Sequence, residues 1–568
     1  MRRFIVLFLM GLVAVAIGYA LFRAGPSIPS RGVLVLEIGD SLEEAPAVDV
    51  LDRLFARGLA LPTLILQLDK AAADERIVGV LLHIRALQVG YASLQEVRDA
   101  VLRFRETGKP AIALLDMATL NATRELYLAS SADKVYLVPG FLGPFAGIAG
   151  HFLHLGGFLG KLGIEVEYER IGPYKSAPEM FAAREMSPPA RRMFNELLDG
   201  IFSQIVSGIA QGRSLETASV RRLVEEAPSV LEEYVAAGLA DGSADRDEVL
   251  ELAGLGDAEE VSWDGYLGVD PQDLGLRDGP GIALIFGEGT IVQAAGGRGA
   301  RTRLLEADAV ERALEDAAED EEILAIVLRI DSGGGSALAS DQVWRQIREV
   351  RKEKPVVISM GNAAASGGYY IASGADTIVA QPATMTGSIG VFFLHPALAG
   401  LFRKLEIGSE VITRGKYAAI SIADAPFTKE QRERTREFVR SFYEGFLERV
   451  ATGRGLSAEE VDRLGQGRVW LGETAMGNGL VDHLGGLHTA VKLAQSEAGL
   501  DPEIDPQRVI FPGPRPLAEQ IAEVLRGELA DWLLGHLQAI RLPEIVQSLS
   551  LLAEGELAYL PPYWVEVH

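Results

Sequence analysis

Cysteine is absent from all 568 residues. That excludes disulfides, thiol nucleophiles and cysteine-held metals together. Histidine is scarce, with eight residues and no HExxH-like spacing, so a metal-dependent hydrolase lacks its usual ligand pattern. Basic charge is also under-represented: 54 Lys and Arg face 79 Asp and Glu, a net charge of −25. So acidic a chain has little with which to neutralise phosphates, which argues against nucleic acid as a partner. No cofactor motif is apparent. What remains is 48% hydrophobic and 23% charged, a globular balance in a chain too long for one ordinary core.

One long apolar run stands at the start. Phe4–Phe22 carries no charged residue, and its length of about 19 residues gives a helix of roughly 28 Å, close to the thickness of a bilayer core. Arg2 and Arg3 precede it, which keeps the N-terminus cytoplasmic. No small-residue cleavage site is evident before Pro26. The expectation is an uncleaved signal anchor over 1–27, a single span of the cell inner membrane, with the rest of the chain periplasmic or otherwise outside the cytoplasm.

Behind this segment the chain repeats itself. Asp74-Glu-Arg-Ile-Val-Gly-Val-Leu-Leu-His-Ile84 matches Asp320-Glu-Glu-Ile-Leu-Ala-Ile-Val-Leu-Arg-Ile330 without a gap. Lys109-Pro110 matches Lys354-Pro355, and Tyr127-Leu-Ala-Ser-Ser-Ala-Asp133 matches Tyr370-Ile-Ala-Ser-Gly-Ala-Asp376. Further matches, Gly238-Leu-Ala-Asp241 with Gly479-Leu-Val-Asp482 among them, keep the same order. In each half a strand (Val33–Ile38; Ile282–Phe286) is followed by a buried strand (Val78–Ile84; Ile323–Ile330), a helix (Leu94–Arg105; Ala339–Arg351) and a strand after Lys-Pro. Apolar strands alternating with amphipathic helices predict α/β units with parallel pairing. The expected division is 28–275 and 276–500, with 501–568 as a C-terminal extension.

Chemistry is sought where the repeats diverge. In Gly361-Asn-Ala-Ala-Ala-Ser366-Gly367-Gly-Tyr-Tyr, a serine follows the apolar run Pro355–Met360 and precedes a helix start. A small serine among Ala and Gly at a strand-to-helix turn offers an accessible hydroxyl and neighbouring backbone N–H donors. Counting from Tyr127 and Tyr370, Thr123 stands opposite Ser366, and Arg124-Glu125 opposite Gly367-Gly368. Likewise Asp331-Ser332-Gly333-Gly334-Gly335-Ser336 replaces Arg85-Ala86-Leu87-Gln88-Val89-Gly90, and its glycines permit close backbone approach to developing charge. The second half therefore holds the candidate nucleophile. For the base, Lys175 in Gly172-Pro-Tyr-Lys175 and Lys416 in Gly415-Lys-Tyr-Ala418 are rivals, depending on whether the loop or the following helix sets the register. Either lysine would need burial to become neutral near pH 7.

These motifs, with Thr386-Gly387-Ser388-Ile389-Gly390 and Met186-Ser187-Pro188, resemble the long form of signal peptide peptidase A, also called protease IV, from the anchor to about residue 500. The resemblance implies Ser366 as nucleophile, Lys175 as general base and Ser388 as the group that orients it. It implies an oxyanion hole from Gly367 with Gly334 or Gly335, though the loop reads Asp331-Ser-Gly where the family carries Asn-Ser-Pro. A fold similar to caseinolytic proteases and crotonases, homotetramers facing the membrane, and released signal peptides as substrates are further implications. The expectation is a membrane-bound serine endopeptidase. Competing classes are a catalytically inactive tandem-repeat scaffold and a crotonase-like acyl-CoA enzyme.

Overall fold

The computed structural model describes residues 28–49, 59–277, 279–294, 304–516 and 520, and the backbone of 558–559. Each half is built on a parallel sheet laid out in the same order. In the first, the strands run Gly242–Ser243, Lys134–Leu137, Ala111–Leu115, Ile77–Leu87, Gly32–Asp40 and Glu259–Ser262. In the second they run His483–Leu484, Thr377–Ala380, Val356–Ala365, Ile323–Ser332, Gly279–Glu288 and Pro506–Phe511. The edge strand Pro506–Phe511 is thus the counterpart of Glu259–Ser262, although the sequence places it in the C-terminal extension.

Alternation along the strands gives each sheet two buried faces, as parallel sheets require. Leu34, Leu36 and Ile38 enter one core while Val33 and Val35 enter another on the opposite side. The cores do not respect the boundary between halves. Phe392, Leu394, Val469 and Leu471 of the second half pack in the main core of the first. A third, smaller sheet joins the halves directly, because Glu165–Arg170 pairs antiparallel with Phe392–Ala397. Polar contacts reinforce the joint: Arg329, almost fully buried, is held by Glu44 at 2.8 Å and Glu96 at 2.5 Å. A short strand, Ala558–Tyr559, lies in the same small sheet, antiparallel to Gly335–Ser336 and beside Phe392.

The membrane reading needs correction. Phe4–Phe22 lies outside the described residues, and among the described residues no helix is long and apolar enough to cross a membrane. The two 26-residue helices, Pro188–Arg213 and Lys429–Arg454, have the length but carry charges along it. An α/β tandem of two repeats stands. Nothing among the described residues supports the transmembrane helix, the inner-membrane location or the membrane as partner.

Candidate active site

Ser366 sits at the end of a strand longer than its apolar run implies. Val356–Ala365 continues through Gly361 because Ala363, Ala364 and Ala365 pair with Met385, Thr386 and Gly387. Small residues there let the two strands approach. The helix Gly367–Ala372 then begins immediately, with Ser366 at its N-cap. The serine backbone is left-handed, at φ 56° and ψ −113°, a strained conformation for a residue with a Cβ. Two hydrogen bonds hold it: its N–H donates to Gly387 C=O at 2.8 Å, and its own C=O accepts from Tyr370 N–H at 2.8 Å.

Lys175 comes from the other half. The strand Glu165–Arg170 carries the chain across the joint, and Ile171 N–H donates to Val391 C=O at 3.1 Å. Tyr174 N–H then donates to Gln466 C=O at 3.1 Å. Gly467 has no room for a side chain here, since a Cβ on it would stand 2.4 Å from Lys175 N and Cβ, and its φ is +77°. This clamp around Lys175 was not legible in the sequence; the Gly465-Gln466-Gly467 run is its only trace.

The lysine Nζ ends 2.6 Å from Ser366 Oγ, 2.9 Å from Ser388 Oγ and 3.1 Å from Ser388 C=O. All three residues are fully buried. Burial lowers the Lys175 pKa well below the ordinary lysine value, because the charged form is the one desolvation disfavours. The contacts suit a neutral amine. Its two N–H groups can donate to the Ser388 oxygens while its lone pair accepts the Ser366 O–H. The rival Lys416 is exposed, with its Nζ 5.2 Å from the centroid of the Tyr417 ring.

The glycine loop is close by. The site where Gly367 would carry a Cβ lies 3.2 Å from Gly335 N and 2.6 Å from Ser340 Oγ. Gly334 N–H already donates to Ser332 Oγ at 3.1 Å, so of the two loop glycines Gly335 stands better placed to serve with Gly367. Asp331 points away from this loop: its Oδ1 accepts from Ala363 N–H at 2.8 Å, tying the loop root to the serine strand. Burial, with the Glu44 carboxylate, pushes the Asp331 pKa up to about 7.

Comparison with known proteins decides the lineage. The model of Peptidase family S49 matches residues 103–258 and 348–501, more than half of the chain. The chain belongs to peptidase family S49. It is 34% identical to the chloroplastic serine protease SPPA of Arabidopsis thaliana, over 80% of this chain and 68% of that protein. It is 31% identical to Protease 4 of Haemophilus influenzae, over 86% and 83%, and 30% identical to Protease 4 of Salmonella typhi, over 83% and 79%. A ClpP1 mutant from Listeria monocytogenes matches at 15% identity over 36% of this chain and 93% of that one, with a TM-score of 0.24, too slight a likeness to bear on the fold. Membership in the S49 family carries a serine-protease function in general terms.

Proposed function

We propose that this S49 protein is a serine endopeptidase working by a Ser/Lys dyad formed across its two halves within one chain. The observation that carries the reading is the 2.6 Å approach of a fully buried Lys175 Nζ to Ser366 Oγ. In acylation, neutral Nζ takes the Ser366 proton as Oγ attacks the peptide carbonyl carbon. The developing oxyanion accepts hydrogen bonds from Gly367 N–H and Gly335 N–H. Nζ then delivers the proton to the leaving amine, the C–N bond breaks, and an acyl-enzyme remains. Water attacks that ester with Nζ again as base, restoring serine and releasing the acid.

Ser388 fixes the lysine by accepting from it twice, leaving the third direction for the nucleophile. Among the described residues no carboxylate touches Nζ, which matters because one would hold it protonated. An extended peptide is the fitting substrate. Ala558–Tyr559 pairs antiparallel with Gly335–Ser336, and such a peptide would take that place as a strand by displacing it. The acyl-CoA and scaffold readings have no support in the family match.

Ser366→Ala tests the assignment. It is expected to lower peptide hydrolysis at least about a thousand-fold and to abolish labelling by a fluorophosphonate. Residual activity of a few per cent in a folded variant would sink it.

A further inference from the structure

The first half keeps a cleft where its own active site would be. A cavity of about 760 Å³ is lined by Ala86, Leu87, Gln88 and Val89, the counterparts of the glycine loop, and by Thr123, Arg124 and Glu125, the counterparts of Ser366-Gly-Gly. Its catalytic potential is gone. The Thr123 hydroxyl donates to Asn121 Oδ1 at 2.7 Å and accepts from Gly147 N–H at 3.0 Å. Glu125 Oε1 accepts from Leu87 N–H at 2.7 Å, so a carboxylate satisfies the loop.

The cleft is not filled, however. Glu125 lines the cavity but is almost fully buried, and its Oε2, which has no hydrogen-bond partner among the described residues, is itself closed off from it. Apolar surface lines the cleft, from Leu87, Val89, Ile201 and Met385, with Leu120 standing 92% exposed at the rim.

Two facts identify the occupant. The cavity wall includes Asn362 and Met385, which lie on the strands that deliver Ser366 and Ser388 four and three residues later. At about 3.3 Å per residue the wall is roughly 13 Å along the strand from the serine. In the second half, moreover, the loop counterpart of this cleft already carries an extended segment, Ala558–Tyr559. The repeat is therefore suited to holding extended chain at this position.

We propose that the first-half cleft is a non-catalytic subsite for a second stretch of the same extended apolar peptide. The inference rests on the peptidase reading for its substrate class. Its function would be to favour long apolar peptides over short ones through KM.

Ala86→Trp and Leu120→Asp alter exposed lining positions, where folding tolerates change. Cleavage of a fluorogenic tetrapeptide and of an apolar peptide of about 20 residues, some 66 Å extended, is compared with wild type. Both variants are expected to keep the tetrapeptide kcat/KM and to raise the long-peptide KM about tenfold, with kcat little changed. An unchanged long-peptide KM in both cleft variants overturns the subsite. Wild-type protein that cleaves neither peptide would overturn the peptidase reading. In that case anisotropy of the labelled long peptide on the Ser366→Ala chain still decides the subsite: weakening by Ala86→Trp supports it, and none refutes it.

Discussion

The two halves solve the same strand-to-helix turn in opposite ways. At Ser366 the hydroxyl meets an amine, and the helix behind it starts with two glycines. At Thr123 the hydroxyl is spent on Asn121 and Gly147, and the next two side chains reach over to the facing loop, Arg124 to Leu87 C=O and Glu125 to Leu87 N–H. In both turns the hydroxyl is satisfied. The difference is that one is satisfied by its own side chains, and the other leaves donors for something that arrives. A duplicated active site can thus be retired by supplying internally hydrogen bonds that substrate once made.

The sharpest way to break this comparison is at the lysine. Lys175→Arg and Lys175→Ala are both expected to lose at least about a thousand-fold in kcat/KM, since guanidinium stays protonated at any working pH. Lys416→Ala should keep near wild-type rates. Wild-type activity should rise with pH through an ionisation well below the ordinary lysine value. Stability carries the same sign. Between the lowered folded pKa and the unfolded value of about 10.5, the unfolded chain binds the extra proton, so stability increases with pH across that window. Lys175→Met should remove that slope and raise the melting temperature at neutral pH by a few degrees, as calorimetry at two pH values would read.

A smaller effect is expected at the helix start. Gly367→Ala would put a methyl 2.6 Å from Ser340 Oγ. Displacing the turn should cost about 1–3 kcal/mol of stability and lower kcat roughly 10- to 100-fold by misaligning the N–H donor. Denaturant titration and kinetics separate the two. At the corresponding place in the first half an arginine is accommodated, which shows how differently the two turns are packed.

The smallest expected effect is nil, and it is informative. Thr123→Ser with Arg124→Gly and Glu125→Gly rebuilds the serine turn in the first half. On a Ser366→Ala background it should restore no hydrolysis and no fluorophosphonate labelling, because the counterpart of Lys175, by the Gly-Tyr register, is Ala418. Any recovered turnover would mean that the base is not what separates the halves.

Much of this was legible in the chain before its structure. Internal matches around Ile84 and Ile330, and around Tyr127 and Tyr370, gave two α/β units, and their divergence singled out Ser366. The meeting of Lys175 with Ser366 was not derivable from spacing, since 191 residues separate them and two registers gave two lysines. What selects Lys175 is the antiparallel joint between Glu165–Arg170 and Phe392–Ala397 and the grip of Gln466–Gly467, both long-range. The edge strand Pro506–Phe511 escaped notice for a similar reason: what makes it a strand is its long-range pairing with Gly279–Glu288. Asp331, open in the sequence between the oxyanion loop and elsewhere, turns to Ala363 because the parallel neighbour strand offers a donor there.

The joint itself makes turnover a readout of assembly. Glu165–Arg170 is borrowed by the second half, so peeling one six-residue strand from Phe392–Ala397 withdraws the base while both parallel sheets stay intact. Sub-global opening of this kind needs less free energy than melting either core. Under rising denaturant, catalysis should vanish while circular dichroism is still native, and it should return as soon as the strand re-pairs.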